Sequence, residues 1–122
     1  MRKQATSLPA LTERDITGQI VDYLHVRGAW LLKTRGGLGQ RRGVPDIVCC
    51  IRGLFVAIEV KRPKGVVTAW QREELTKIDL ADGVAFVARS LEDVMAVVEP
   101  LIEVHPGRNR EGRPWERLNP NV

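Results

Sequence analysis

Histidine, cysteine and serine are scarce in this chain of 122 residues, two of each, and their placement removes several chemistries. His25 and His105 are eighty positions apart and form no helical metal pair. Cys49 and Cys50 are adjacent in an apolar run, where strand alternation sends them to opposite faces, so they make a poor disulfide pair. Neither belongs to a CxxC, which argues against zinc. Ser7 and Ser90 give no support to a serine triad. Gly37 and Gly39 open a GxG, but Arg42 stands where the dinucleotide fingerprint needs its third glycine, and no GK[ST] of a P-loop follows. Apolar runs are only a few residues long, far short of the roughly 20 of a membrane span. The basic start lacks the apolar stretch of a secretory leader. The expected setting is a reducing one, the cytoplasm, with no membrane partner.

What is present is ordinary in bulk: 43% apolar, 28% charged, 13.7 kDa, enough for one domain with its own core. Nineteen Lys and Arg against 15 Asp and Glu leave a net +4, a mild excess. Its distribution is more informative. Between Lys33 and Lys64 stand eight basic residues, and the only acids among them are Asp46 and Glu59.

No internal repeat is visible. Residues 1–10 read as a flexible arm, 11–103 as the domain, and 104–122, with three prolines and four arginines, as an irregular basic tail. Thr12 is the expected N-cap of a helix carrying Ile16, Ile20, Val21 and Leu24, stopped at Gly28. Ala29–Lys33 reads as a strand. The loop 34–43, TRGGLGQRRG, is glycine-rich and basic. Asp46–Ile51 and Leu54–Lys61 read as a hairpin turning at Arg52-Gly53, although Arg is not a favoured first turn residue. Thr68 and Gln71 fit a capping box opening a helix to about Leu80. Val84–Ala88 reads as a strand, and Ser90 caps a last helix whose regular extension Pro100 should limit. The order is αβββαβα. Trp30, Trp70 and Trp115 are expected to pack rather than to stack on bases, although Trp70, beside Gln71, could reach either surface.

A two-residue turn makes paired positions sum to 105 and sets Asp46 opposite Glu59, with Cβ atoms about 4.5–5.5 Å apart. Alternation adds Lys61 to the face of Glu59. Two carboxylates that close repel unless a cation lies between them, and a hard divalent ion suits oxygen ligands. Lys61 is placed to orient a water or to meet charge at a phosphate. The plainer alternatives are a turn aspartate at Asp46 and a same-face ion pair between Glu59 and Lys61.

Pro45-Asp46, twelve intervening residues, then Glu59-Val60-Lys61 form a PD-(D/E)xK signature. Its context, GVPDIVCCIRGLFVAIEVKRPKG followed by VTAWQREEL, resembles the VRR-NUC family, particularly its small stand-alone phage-type members. The resemblance spans roughly residues 12–98, taking in TERDITGQIVDYLHVRGAW and GVAFVARSLEDV. It implies a restriction-endonuclease-like α/β core, a small mixed sheet flanked by helices. It also implies a metal-dependent DNA endonuclease. Asp46 and Glu59 would ligate Mg²⁺ or Mn²⁺ with the backbone carbonyl of Val60, and Lys61 would position the attacking water. Gln71 matches the family's motif glutamine, a role that can coexist with capping. Glu13 matches an acidic residue near the metal, with Asp15 competing two positions away. Lys33, Arg35, Arg41, Arg42, Arg62 and Lys64 are the expected phosphate contacts, the alternative being a mobile loop and a solvated surface. The family further implies a homodimer acting on branched DNA such as four-way junctions, in phage or bacterial replication, recombination or repair, beside the proteins of those processes. The alternative function is a nucleic-acid-binding subunit of a larger complex with little activity alone.

Overall fold

The computed structural model describes residues 9–34, 41–107, 118 and 121. Most of residues 1–10, Arg35 and most of the tail, Trp115 included, lie outside the described residues. The elements are α1 (Glu13–Val26), β1 (Trp30–Lys33), β2 (Ile47–Ile51), β3 (Leu54–Val60), α2 (Ala69–Leu80), β4 (Val84–Ala88) and α3 (Leu91–Val104), in the expected order. The four strands form one mixed sheet ordered β1-β2-β3-β4. The first three are antiparallel neighbours, and β4 runs parallel to β3, as the α2 crossover requires.

The hairpin register sets every later position. Ile51 pairs with Leu54 and Ile47 with Ile58, as a two-residue turn dictates. Arg52 and Gly53 both take positive φ, 53° and 84°, the pattern of a type I′ turn. Arg52 bears the strain of that region for a non-glycine residue, and its guanidinium donates to the Pro106 carbonyl at 2.7 Å. In this register Ile47, Cys49, Ile51, Val56, Ile58 and Val60 face one side of the sheet. There they join Ile16, Ile20 and Leu24 of α1 and Val94, Val98 and Ile102 of α3 in one core. A Tyr23 hydroxyl donating to Glu99, and an Arg27–Glu99 ion pair at 3.0 Å, tie α1 to α3 above it.

The other face is only half covered. α2 lies against β3 and β4. β3 is therefore enclosed on both sides, and Val56 through Val60 are all buried. Beyond β3 the face opens: Trp30, Leu32, Cys50 and Phe55 are exposed in neighbouring register positions. Cys49 is buried and Cys50 exposed, the split that alternation predicts.

Two expectations need correction. α3 continues through Pro100 to Val104. Pro100 and Ala96, whose carbonyl the missing N–H would have met, both lie on the exposed side, while Val98 and Ile102 on the inner side anchor the turns before and after. The tryptophans described are not packing residues: Trp30 is 66% exposed and Trp70 54%. Trp30 falls on the uncovered sheet face, and Trp70 stands in the first turn of α2 with its ring against Arg42. Among the described residues no helix is long and apolar enough to cross a membrane.

Ile58 is fully buried in the central strand between helices of one face and its strand neighbours. Ile58→Ala should lower the unfolding free energy by about 2–5 kcal/mol in denaturant titration, the range for a large-to-small change in a close-packed core.

Candidate active site

The C-terminal end of β3 presents the chemistry. Glu59 occupies the middle of a buried apolar strand and is 2% exposed. Its odd position in the alternation turns it from the α1/α3 core toward α2, where the capping box is waiting. The Thr68 hydroxyl accepts from the Gln71 N–H at 3.2 Å, and the Gln71 side-chain oxygen accepts from the Thr68 N–H at 2.9 Å. That leaves the Gln71 amide nitrogen free to donate to Glu59 Oε2 at 3.0 Å. Capping and site contact are thus carried by opposite ends of one amide.

Asp46 lies one residue before β2, so the strand is shorter than the expected Asp46–Ile51, and β3 likewise ends at Val60. Instead of a ladder bond, Asp46 Oδ2 accepts from the Val60 N–H at 2.8 Å. A strand residue's carbonyl leaves on the same side as its N–H, so the Val60 carbonyl faces the space beside Asp46 as well. Lys61 Nζ stands 3.9 Å from Glu59 Oε2, with its side chain 12% exposed. The other oxygen of Glu59, Oε1, is buried and has no hydrogen-bond partner. An orphaned acceptor of this kind is costly in a folded interior and signals a missing positive partner.

The electrostatics agree. Burial pushes the Glu59 carboxyl up from 4.5 to about 8, assisted by the neighbouring Asp46 carboxyl and its negative charge, while Lys61 pulls the other way. At neutral pH without a cation, this pair holds a proton. A buried, unpaired oxygen, a second carboxylate and a backbone carbonyl are hard donors suited to Mg²⁺ or Mn²⁺, and Asp46, Glu59 and Val60 would hold it. Among the described residues, no group of three His, Cys, Asp or Glu side chains gathers on one point, so the side-chain donors there are two. Glu13 does not complete a cluster. It is exposed and faces Asp46 across a cleft of about 520 Å³, shared with Arg14, Thr17, Gly18, Lys33 and Thr34.

The basic residues divide into three groups. Lys33 lines that cleft. Arg62 and Lys64 are exposed on the loop after Lys61. Arg41 and Arg42 turn toward α2: Arg41 pairs with Glu74 at 2.9 Å, and the Arg42 guanidinium sits 5.5 Å from the centre of the Trp70 ring. Arg35 lies outside the described residues.

Three supporting residues escaped the sequence reading. Thr34 closes the base of the glycine loop, donating its N–H to the Asp46 carbonyl at 2.8 Å and its hydroxyl to the Pro45 carbonyl. Arg89 closes the loop after Lys61, its Nη1 reaching the carbonyls of Arg62, Pro63 and Gly65 at 2.7, 3.1 and 2.8 Å. Buried Glu74 anchors Arg41, and the Lys77 hydrogen bond, with the charges of Arg41 and Lys77, holds its carboxyl below the usual range. None of the three had a motif to mark it. A glutamate at i−3 from Lys77 is the only local signal for Glu74.

Without divalent ions, the raised Glu59 pKa makes its stabilising contribution complete below about 4.5 and lost as pH rises through about 8. Chemical denaturation in chelator between pH 5 and 9 should show stability falling across that window, and Glu59→Gln should flatten the slope.

No protein-family profile matches the chain, and no curated protein does. Solved structures do. One, titled "VRR_NUC domain protein", superposes with a TM-score of 0.64 at 18% identity, covering 79% of this chain and 92% of its own. Another, titled "VRR_NUC domain", gives 0.62 at 21% identity, covering 71% and 94%. Nearly the whole of each matched chain is accounted for, and the fold of this protein is that of the VRR_NUC domain.

Proposed function

We propose that this chain is a VRR-NUC-type nuclease, a divalent-metal-dependent endonuclease that hydrolyses DNA phosphodiester bonds. The observation that carries the reading is the pairing of half-buried Asp46 with buried Glu59, whose second oxygen is orphaned, flanked by Lys61 just past the end of β3. A purely structural ion pair would have satisfied Glu59 Oε1 and would not need Asp46 beside it. Mg²⁺ or Mn²⁺ at this pair supplies Lewis-acid polarisation of the scissile phosphate and a more acidic water. The chain's own groups do the rest. Gln71 fixes Glu59 through Oε2 and leaves Oε1 turned to the site. The Val60 N–H holds Asp46 in place. Lys61 orients the attacking water and meets negative charge developing on the phosphate. Arg62, Lys64, Lys33 and the basic loop supply sequence-independent phosphate contacts around it.

The substrate we propose is branched DNA, in phage or bacterial replication, recombination or repair. A domain of this size has little surface with which to wrap a duplex, so a second copy of the chain is the proposed partner. The uncovered apolar face at Trp30, Leu32, Cys50 and Phe55, next to the outer strand β1, supports self-association.

Purified protein should cut DNA with Mg²⁺ or Mn²⁺ and not in EDTA, with four-way junctions preferred over linear duplex. Asp46→Ala and Glu59→Ala should each lower the rate at least 100-fold while leaving circular dichroism unchanged. Metal-dependent cutting retained in the double variant would refute the assignment; salt-sensitive binding with no cutting by the wild type would favour a binding subunit.

A further inference from the structure

An exposed tryptophan beside a candidate active site calls for an explanation that packing does not provide. Trp70 directly precedes Gln71, the residue that reaches Glu59 at 3.0 Å. About half of its side chain is open to solvent. Buried indoles stabilise by removing their large apolar surface from water, and this one forgoes much of that gain.

Its surroundings are nevertheless firmly built. Gly43 takes φ +84°, and a Cβ placed there would lie 2.3 Å from the Trp70 carbonyl oxygen and 2.9 Å from the Gln71 nitrogen. The end of the basic loop is therefore pressed against the first turn of α2 at a spot only glycine fits. That contact holds Arg42 over the Trp70 ring, while Arg41 is anchored on Glu74. Next to the ring is a hollow of about 310 Å³ lined by Arg41, Arg42, Trp70, Glu73, Glu74 and Lys77. Three cations there outnumber two carboxylates, and both carboxylates are engaged, Glu73 by Lys77 at 3.4 Å and Glu74 by Arg41 and Lys77. An aromatic wall with a residual positive rim complements a flat heterocycle attached to a phosphate. A paired base within a duplex has both faces covered by its neighbours; an unpaired base does not.

We propose that Trp70, framed by Arg42, is a stacking platform for one unpaired base of the DNA substrate, seating single-stranded DNA at the rim of the Glu59 site. This rests on the reading of the chain as acting on DNA and adds to its branched substrates those that carry unpaired nucleotides.

The test measures binding of full-length protein in EDTA, by fluorescence anisotropy, to three hairpin duplexes. One is blunt, one carries a three-nucleotide single-stranded extension, and one carries the same extension with abasic sites, which keeps the phosphates and removes the bases. Wild type should bind the base-bearing extension roughly 5- to 150-fold more tightly than the abasic one, the range expected of one base–aromatic stack. Trp70→Ala should erase that ratio, and Trp70→Phe should restore part of it, showing that the loss is one of stacking rather than of folding. Equal affinity of wild type for the two extensions, or an unchanged ratio in Trp70→Ala, overturns the platform. The failure of the nuclease reading looks different: a base-dependent ratio that needs Trp70, in a protein that cuts no DNA with Mg²⁺ or Mn²⁺, leaves the platform standing and removes the enzyme.

Discussion

Glu59 is an acid in the most enclosed strand of the molecule, and its position organises what surrounds it. Burying a carboxylate without a full set of partners is costly, and such groups respond by taking a proton or by acquiring a cation. The fold supplies only part of what Glu59 requires: one amide donor from Gln71 and a lysine at 3.9 Å, both on the same oxygen. The second oxygen is left bare, and a second carboxylate is brought up beside it. These are features a stability-driven core would eliminate. They are sensible in a site whose remaining partner is a divalent ion.

The architecture follows from serving that point. The type I′ turn fixes the register that carries Asp46 to the end of β3. The parallel β3–α2–β4 crossover brings the N-terminus of α2, and with it Gln71, over the same strand end. The irregular segments are anchored at described points: the root of the glycine loop by Thr34 hydrogen bonds to the Asp46 and Pro45 carbonyls, its far end by the close approach of Gly43 to the first turn of α2, and the loop after Lys61 by Arg89. Segments that carry basic residues are thereby attached to rigid elements.

The elements and the central pair were legible because they rest on local rules. Apolar periodicity marked α1 and α3, Thr12 and Thr68 marked helix starts, and Arg52-Gly53 fixed a register from which Asp46 and Glu59 had to meet. Local rules also produced the errors. Pro100 forbids a helical hydrogen bond only at its own position, and tertiary burial of Ile102 carried the helix past it. Trp30 and Trp70 were assigned to packing on residue type, but which sheet face a helix covers is decided by the whole topology. Glu74 and Arg89 act across separations of 33 and at least 24 residues, on partners with no shared motif. Glu13 stands at the helix end the sequence marks, exposed and lining the same cleft as Asp46.

The role proposed for the Asp46–Glu59 pair is to hold a divalent cation in place of the proton carried by its metal-free form. Calorimetric titration of the protein with Mn²⁺ at pH 7, repeated in buffers of different ionisation enthalpy, tests it without any substrate. One site with close to one proton released per ion bound is the predicted result, with both binding and proton release lost in Glu59→Gln. Binding that survives Glu59→Gln, or no binding at millimolar Mn²⁺, would contradict the account.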